Sequence, residues 1–432
     1  MTGAMTLGEM SPGLLKVAER ARIDPYGKIL SLAHHIDEPA LRRAFGRLRK
    51  DAAVGVDGVT VEQYGQHLEE NLRTLHERMK AMNYRHQPIR RVHIPKENGK
   101  TRPLGISSVE DKIVQGALRD VLQAVYEQDF LSCSHGFRPK RSAHDAIRVV
   151  NEEVWKGRVH HVLEADIVSF FDNIDRKMLM EMLRARIADE NMMRLVGKCL
   201  HVGVLDGEEY SEPETGTAQG SILSPLLGNI YLHNVIDVWF EREIKPRLRG
   251  HSALVRYADD FVMLFEHDDD AKRVYEILEK RMAKFGLTLH PEKTRLFRFE
   301  PPGKDDGGGP TFDFLGFTLH WQRARRGRWR MAFKTKRARI WRAIASAAEW
   351  CRRHRHDPVK LQHERLSQKL RGHYNYFGVN GNSHALERVA YAVRRLWVKW
   401  LRRRSQRPVA WEKAFALARS LPMPCITVQI WN

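Results

Sequence analysis

The sequence is poor in the features that define several common protein classes. Its 432 residues include four cysteines, Cys133, Cys199, Cys351 and Cys425. They lie far apart and form no CxxC pair, so neither a zinc knuckle nor a disulfide framework is expected, and reduced thiols are the default. No stretch approaches the roughly 18 consecutive apolar residues that a membrane-spanning helix needs. The opening MTGAMTLGEMSPGLLKVAER has no apolar segment of the secretory-signal kind. Internal repeats and sustained heptads are also lacking. These absences argue against secreted, membrane and repeat proteins, and favour a multi-domain cytoplasmic chain.

Acid is scarce in one region only. The whole chain carries 73 Lys and Arg against 53 Asp and Glu, a net charge of +20. Residues 321–407 alone hold 25 bases and 4 acids, so the remainder is close to neutral. A generally basic surface would spread its charge evenly. The same region holds Trp321, Trp329, Trp341, Trp350, Trp397 and Trp400. Basic segments interleaved with aromatics suit phosphate contact and base stacking, so a nucleic-acid partner is expected there.

The local patterns give a coarse element order. Residues 1–25 read as loosely ordered. Helices are predicted from Asp37, over 61–82, over 109–128 with Ile113, Leu118, Val121 and Val125 inward, and over 224–242 after Pro225. A hairpin is predicted over 90–106, turning at Glu97-Asn98-Gly99. Residues 161–165 read as a strand, and Asp175 as the cap of the helix that follows it. Residues 310–321 read as a single strand. From 335 to 404 the pattern is helical, with breaks near 356–358 and 378–382.

The chemistry centres on LVRYADDFVMLF, residues 254–265. Two adjacent acids, Asp259 and Asp260, interrupt an apolar run in which charge is costly to desolvate. A third, Asp166, stands at the end of the apolar strand 161–165. If these strands are neighbours, three carboxylates converge at one sheet edge. A hard divalent cation would make that tolerable, and two Mg²⁺ ions bridged by such acids drive in-line phosphoryl transfer. The plain alternative is a hairpin turn, where Asp is common.

An ordered series of motifs surrounds these acids. It runs RPLGISSVEDKIVQ (102–115), SHGFRPKRSAHDAI (134–147), ADIVSFFDNID (165–175), GTAQGSILSPLLGNIYL (216–232), RYADDF (256–261), GLTLHPEKT (286–294) and FLGF (314–317). The series resembles the reverse transcriptases of bacterial group II introns, the intron maturases, over roughly 30–400. The resemblance implies an α+β right-hand polymerase, with fingers, a palm built on an antiparallel sheet, and an all-α thumb or X domain. The corresponding division is 1–75 (N-terminal extension and start of fingers), 76–330 (fingers and palm), 331–405 (helical basic thumb) and 406–432 (a short DNA-binding tail).

The resemblance also assigns roles. Asp166, Asp259 and Asp260 match the catalytic metal-binding acids for two Mg²⁺ ions. Lys96 and Arg102 match cations on the incoming triphosphate. Phe171 matches the aromatic that excludes a ribose 2′-OH, Gln219 a contact to the dNTP, and Lys293 a palm lysine near the site. Arg138, Lys140 and Arg141 match positions near template or triphosphate, with an ion pair as the other reading of Arg138. Lys369, Arg371, Arg394, Arg395, Arg402, Arg403 and Arg404 would track nucleic acid along the thumb. The implied partners are a group II intron RNA, a target DNA or primer strand and dNTPs, in a cytoplasmic, nucleoid-associated ribonucleoprotein with no membrane. The implied function is RNA-directed DNA synthesis for retrohoming, combined with assistance to splicing. A free-standing reverse transcriptase of phage defence or a CRISPR locus, and a splicing-only maturase, stay open on the sequence. No Cys/His cluster of an HNH nuclease follows the thumb, so the shorter type is expected.

Overall fold

A computed structural model of the chain describes residues 10–95, 101–303, 309–324, 327–404, 407 and 409–429. Lys96 and the expected Glu97-Asn98-Gly99 turn lie outside them. The chain is a mixture of helices and sheets and divides into two compact units. One comprises Met1–Ala146, Ala165–Met263 and Asp269–Arg295, and the other Ile147–Glu164, Leu264–Asp268 and Leu296–Asn432.

The first helices are α1 (Pro12–Ile23), α2 (Glu38–Gly46), α3 (Val61–Gln66), α4 (Leu68–Lys80) and α5 (Val109–Asp129). The expectation that residues 1–25 are loosely ordered is therefore corrected over Pro12–Ile23, while residues 1–9 lie outside the described residues. Ser11 accepts from the Leu14 amide at the N-terminus of α1, Pro12 begins the helix, and Leu14, Val17, Ala18 and Ala21 are buried. That apolar stripe is enough to dock α1 on α5. α5 carries more than the inward stripe its sequence suggests and is buried along most of its length. Two of its buried acids are met from outside the helix. Asp111 accepts from the Tyr84 hydroxyl at 2.7 Å, and Asp120 pairs with Arg47.

Strands β1 (Ile89–Pro95) and β2 (Thr101–Ile106) form the expected antiparallel pair, with Val92 opposite Leu104. β3 is His161–Ala165, and the short β4 (Val204–Asp206) and β5 (Glu209–Ser211) extend the β1–β2 sheet in the order β2-β1-β4-β5. β6 (Ser252–Tyr257), β7 (Asp260–Phe265) and β8 (Arg295–Arg298) join β3 in a sheet of order β6-β7-β3-β8. Between these strands lie α6 (Ala143–Trp155), α7 (Phe170–Asn173), α8 (Arg176–Arg186), α9 (Glu190–Leu200), α10 (Ser224–Leu232) and α11 (Asp268–Lys284). Asp175 caps α8 as expected, its carboxylate taking the Met178 amide. The helix expected to 242 does continue past α10, but as π-helical turns at His233–Asp237 and Trp239–Ile244.

The second unit contains a three-stranded sheet, β9 (Phe312–Phe314), β10 (Phe317–Arg323) and β11 (Trp329–Thr335), in the order β11-β10-β9. The single strand expected over 310–321 is thus a hairpin. Leu315 and Gly316 both take positive φ, at 52° and 83°, and reverse the chain within FLGF. Helices α12 (Arg337–Arg353), α13 (Val359–Phe377), α14 (Ser383–Leu401) and α15 (Trp411–Ser420) follow, with breaks where the sequence places them. Trp397 is fully buried and donates its indole N–H to Gln362 at 3.0 Å. Asn382 closes the second break by accepting from the Thr335 amide and donating to the Phe377 carbonyl.

Asp189 ties the N-terminal segment to α9. One oxygen accepts from the Leu32 and Ala33 amides at 2.6 and 2.8 Å, and the other from Asn191 and Met192, each at 3.0 Å. Burial pushes this carboxyl up, but the four amides outweigh it and hold its pKa below the ordinary value near 3.8. A depressed pKa gives stability that is present above the unfolded value and lost as pH falls through the folded one. Asp189→Ala should therefore cost about 1–3 kcal/mol at neutral pH. In chemical denaturation, its deficit against the wild type should shrink as pH drops below about 3.8. A deficit unchanged by pH would contradict this reading.

Candidate active site

Asp166 directly follows β3. Its backbone is fixed by a short antiparallel pairing with 288–290: Val168 donates to the Thr288 carbonyl at 2.9 Å, and His290 to the Asp166 carbonyl at 2.8 Å. The chain then turns through Pro291 and Glu292 and brings the Lys293 ammonium onto the Asp166 carboxylate. Asp259 arrives from the β6–β7 hairpin. The loop has two residues, and only the first, Ala258, takes positive φ, at 58°. That is the II′ pattern, in which glycine is usual, so the turn is held under strain of about 1–3 kcal/mol.

Asp166 and Asp259 lie within electrostatic reach of each other. Burial raises the Asp259 pKa above its ordinary value, the charge of Asp166 raises it further, and Arg102 and Arg256 partly offset both. Asp260 opens β7 and is exposed. Among the described residues no group of three His, Cys, Asp or Glu side chains is placed to hold an ion. The edge is thus a pair of acids with a lysine on one of them. Two carboxylates, of which one already takes a cation and the other is raised by burial and by its neighbour's charge, fit a divalent ion by donor chemistry. Asp166 and Asp259 are the residues that would hold it.

The other expected contacts distribute unevenly. Arg102 is exposed on β2 and close enough to act on Asp259. Phe171 is half-buried, its ring 5.1 Å from that of the buried Phe170. α10 presses on both rings: a Cβ on Gly228 would sit 3.0 Å from Phe170 and 3.1 Å from Phe171. The Phe171 carbonyl accepts from the Thr217 amide at 2.7 Å, docking the Gly216–Gly220 segment beside it. Gln219 lines a cavity of about 300 Å³ with Arg91, Gly105, Asp172 and Arg176. The sequence suggests that Gly220 lets backbone approach a nucleotide. The structure gives it a different neighbour. Its φ is 112°, and a Cβ there would collide with the Gly105 carbonyl of β2 and the Leu104 side chain. The Gly105 amide donates to the Gln219 carbonyl at 2.6 Å, so this segment is stitched to β2.

Arg138 is buried, and its guanidinium is engaged inside the protein. It forks onto Glu127 at 2.9 and 2.7 Å and donates to the Leu131 and Ser134 carbonyls. The ion-pair reading describes it. Lys140 is exposed, whereas Arg141 donates to the Ser132 carbonyl at 2.8 Å. In the second unit, Lys369, Arg371, Arg394, Arg395 and Arg403 are exposed on or beside α13 and α14. Arg402 stacks 3.8 Å over Trp411 and donates to the Val409 carbonyl, and Arg404 donates to the Asp357 carbonyl, so these two also brace the helices. The sequence reading passes over Arg256 and Asp237, which form a fully buried ion pair beneath the hairpin. Arg256 was visible as a charge inside the apolar run LVRY, the same anomaly that marks the aspartates.

A sheet edge that presents two carboxylates, with Lys293 and Arg102 beside them, defines a class of site suited to phosphoryl transfer. Comparison with known proteins gives the family. The model described as "Reverse transcriptase (RNA-dependent DNA polymerase)" matches residues 94–319, and the chain belongs to that family. Protein YkfC of Escherichia coli K12 is 32% identical over 374 residues, covering 78% of this chain and 95% of its own. Group II intron-encoded protein LtrA of Lactococcus lactis subsp. cremoris is 36% identical over 268 residues, 59% of this chain and 44% of its own. An uncharacterized 91 kDa protein in the cob intron of Schizosaccharomyces pombe is 43% identical over 157 residues, 36% of this chain and 19% of its own. The chain thus spans nearly all of YkfC but under half of LtrA. Among the described residues no helix is long and apolar enough to cross a membrane.

The stitching of Gly220 to β2 is testable. Gly220→Ala should destabilise the protein by about 1–3 kcal/mol in urea unfolding, because both its φ and its space exclude a Cβ. Wild-type stability would show that the segment relaxes freely away from β2.

Proposed function

We propose that this chain copies RNA into DNA at the Asp166–Asp259 edge, and that it acts on a group II intron RNA whose folding for splicing it also assists. The observation that carries the first part is the pairing of Asp166 with the half-buried, pKa-raised Asp259 at a strained hairpin, inside the region matched by the reverse transcriptase family. The second part rests on the name printed for LtrA and on the basic C-terminal quarter. In this reading the acidic sheet is the palm, β1 and β2 belong to the fingers, and α12–α14 form the thumb.

Each side chain then has a role. Divalent metal bound at the edge supplies charge neutralisation for the attacking 3′-oxygen and for the leaving pyrophosphate. Asp166 and Asp259 hold and orient it, with Asp260 secondary. Lys293 guards the Asp166 carboxylate while the edge is empty of substrate and yields it when phosphate arrives. Arg102, a forked donor on β2, takes triphosphate oxygens, with Lys96 as its partner in that task. Phe171, wedged by Gly228 and by the Thr217 amide, presents a rigid wall to the sugar. A rigid wall discriminates by exclusion: a 2′-OH has no space to enter. Gln219 contacts the nucleotide from a segment fixed to β2. The exposed cations of α13 and α14 follow the nucleic-acid backbone, and affinity there should fall with salt.

The direct experiment is primer extension on an RNA template with Mg²⁺ and dNTPs, using the wild type and Asp259→Ala. The variant should lose at least about 10³-fold in extension rate, because the ligand that fixes the ion is gone. Its affinity for RNA should stay within about threefold of the wild type, because the basic unit is untouched. Extension that survives Asp259→Ala would refute polymerase chemistry at this edge. RNA binding with no extension by either protein would favour a splicing-only role. For the sugar wall, Phe171→Ala should narrow the dNTP-over-NTP preference by at least about tenfold. An unchanged ratio would remove the wall.

A further inference from the structure

Beneath the hairpin lies a buried polar cluster that takes no part in the roles described above. Arg256, in β6, has no solvent exposure, and neither has Asp237. The two make a forked pair: Arg256 Nε to Asp237 Oδ1 at 2.7 Å and Nη2 to Oδ2 at 2.6 Å. The remaining donors are also engaged. Nη2 reaches Ser134 Oγ at 2.7 Å, and Nη1 reaches Asn229 Oδ1 and the Ala258 carbonyl, each at 3.0 Å. Ala258 is the strained turn residue immediately before Asp259.

Backbone contacts interlock with this cluster. The Arg256 amide donates to the Cys133 carbonyl and the His135 amide to the Arg256 carbonyl, both at 2.8 Å. Asn229 donates to the Gly136 carbonyl at 2.7 Å. Gly136 lies so close to the turn that a Cβ there would collide with the Ala258 backbone. Asp237 closes the π-helical turn after α10, and such insertions are frequent at functional sites.

A buried ion pair is a poor device for stability, because desolvating two charges costs about as much as their attraction returns. Its value here is directional. The guanidinium is rigid and planar, and once Asp237 fixes two of its donors, a third is aimed at the Ala258 carbonyl.

We propose that Arg256, oriented by Asp237, is a positioning residue: it holds the II′ turn at Ala258 in the conformation that presents Asp259 to the reaction. This rests on the polymerase reading of the edge. Arg256 touches neither substrate nor reacting atoms, and it acts through the turn.

The test uses the full chain and separates structure from positioning. Arg256→Met alone would orphan a buried carboxylate and could unfold the protein. The double variant Arg256→Met/Asp237→Leu removes both charges together, and such swaps are often neutral or stabilising. Positioning requires three results together. The melting temperature stays within a few degrees of wild type, and primer–template affinity within about twofold. Single-turnover extension falls about 100-fold, the effect of a misplacement of about 1 Å. Amides of 257–260 exchange hydrogen faster than wild type in the protein without nucleic acid or metal. A folded double variant that extends at the wild-type rate, with unchanged exchange, would overturn the proposal.

Should the double variant not fold, Arg256→Lys decides. A lysine keeps the charge toward Asp237 but cannot fork onto it and reach Ala258 as well. It should lose at least about tenfold in extension, and full activity would overturn the proposal. Wild type failing to extend any primer would refute the polymerase reading instead. The exchange comparison would still decide whether Arg256 holds the turn.

Discussion

Two carboxylates held within reach of each other at a sheet edge repel, and burial makes the repulsion worse. Much of the first unit can be read as a way of meeting that constraint at Asp166 and Asp259. Asp166 follows β3 and is clamped by backbone bonds to 288–290. Asp259 sits in a two-residue loop too short to swing. Neither acid can move off to relieve the other, so relief has to come as positive charge. Lys293 and Arg102 supply it in the protein alone. In the proposed reading a divalent cation takes over that relief when it binds.

The surroundings divide this work between two layers. Close to the edge, the Gly216–Gly220 segment, Phe171 and β2 are joined by backbone hydrogen bonds, so residues of the three motifs become one rigid wall. Deeper down, Arg256 and Asp237 form a polar cluster with every guanidinium nitrogen engaged, and the turn leans on it. Rigidity of both layers matters because small errors in alignment are expensive in phosphoryl transfer. In the proposed reading the basic helices of the second unit solve a different problem. Holding a long polyanion needs many weak contacts rather than one exact one, and exposed side chains such as Lys369, Arg371 and Arg394 suit that task.

Much of this was legible in the sequence, and the parts that were not have physical reasons. The β6–β7 hairpin, the cap at Asp175 and the breaks in the C-terminal helices are local, set by turn residues and apolar period, and they lie where the pattern puts them. α1 escapes the sequence pattern because its stripe is weak in isolation and is stabilised by docking on α5. The turn within FLGF is hidden in the sequence because Leu315 takes positive φ, which a leucine seldom does. The aspartates stood out as charge in an apolar run. Arg256 stood out in the same way, but without its partner, 19 residues earlier in sequence, it had no interpretation. Arg138 shows the converse. Its motif context pointed outward to nucleic acid, while Glu127 and two carbonyls claim it within the fold. No spacing rule shows which arginine in a basic segment is turned inward.

The central claim is that Asp166 and Asp259 form one cation site, from which Lys293 withdraws when an ion and nucleotide bind. Crystals grown with an RNA–DNA primer–template, Mn²⁺ and a non-hydrolysable dNTP would test it through the anomalous signal of the metal. The account predicts a peak shared by the Asp166 and Asp259 carboxylates, with the Lys293 ammonium moved off Asp166. A bound nucleotide with no metal at these two acids, and Lys293 still paired to Asp166, would contradict it.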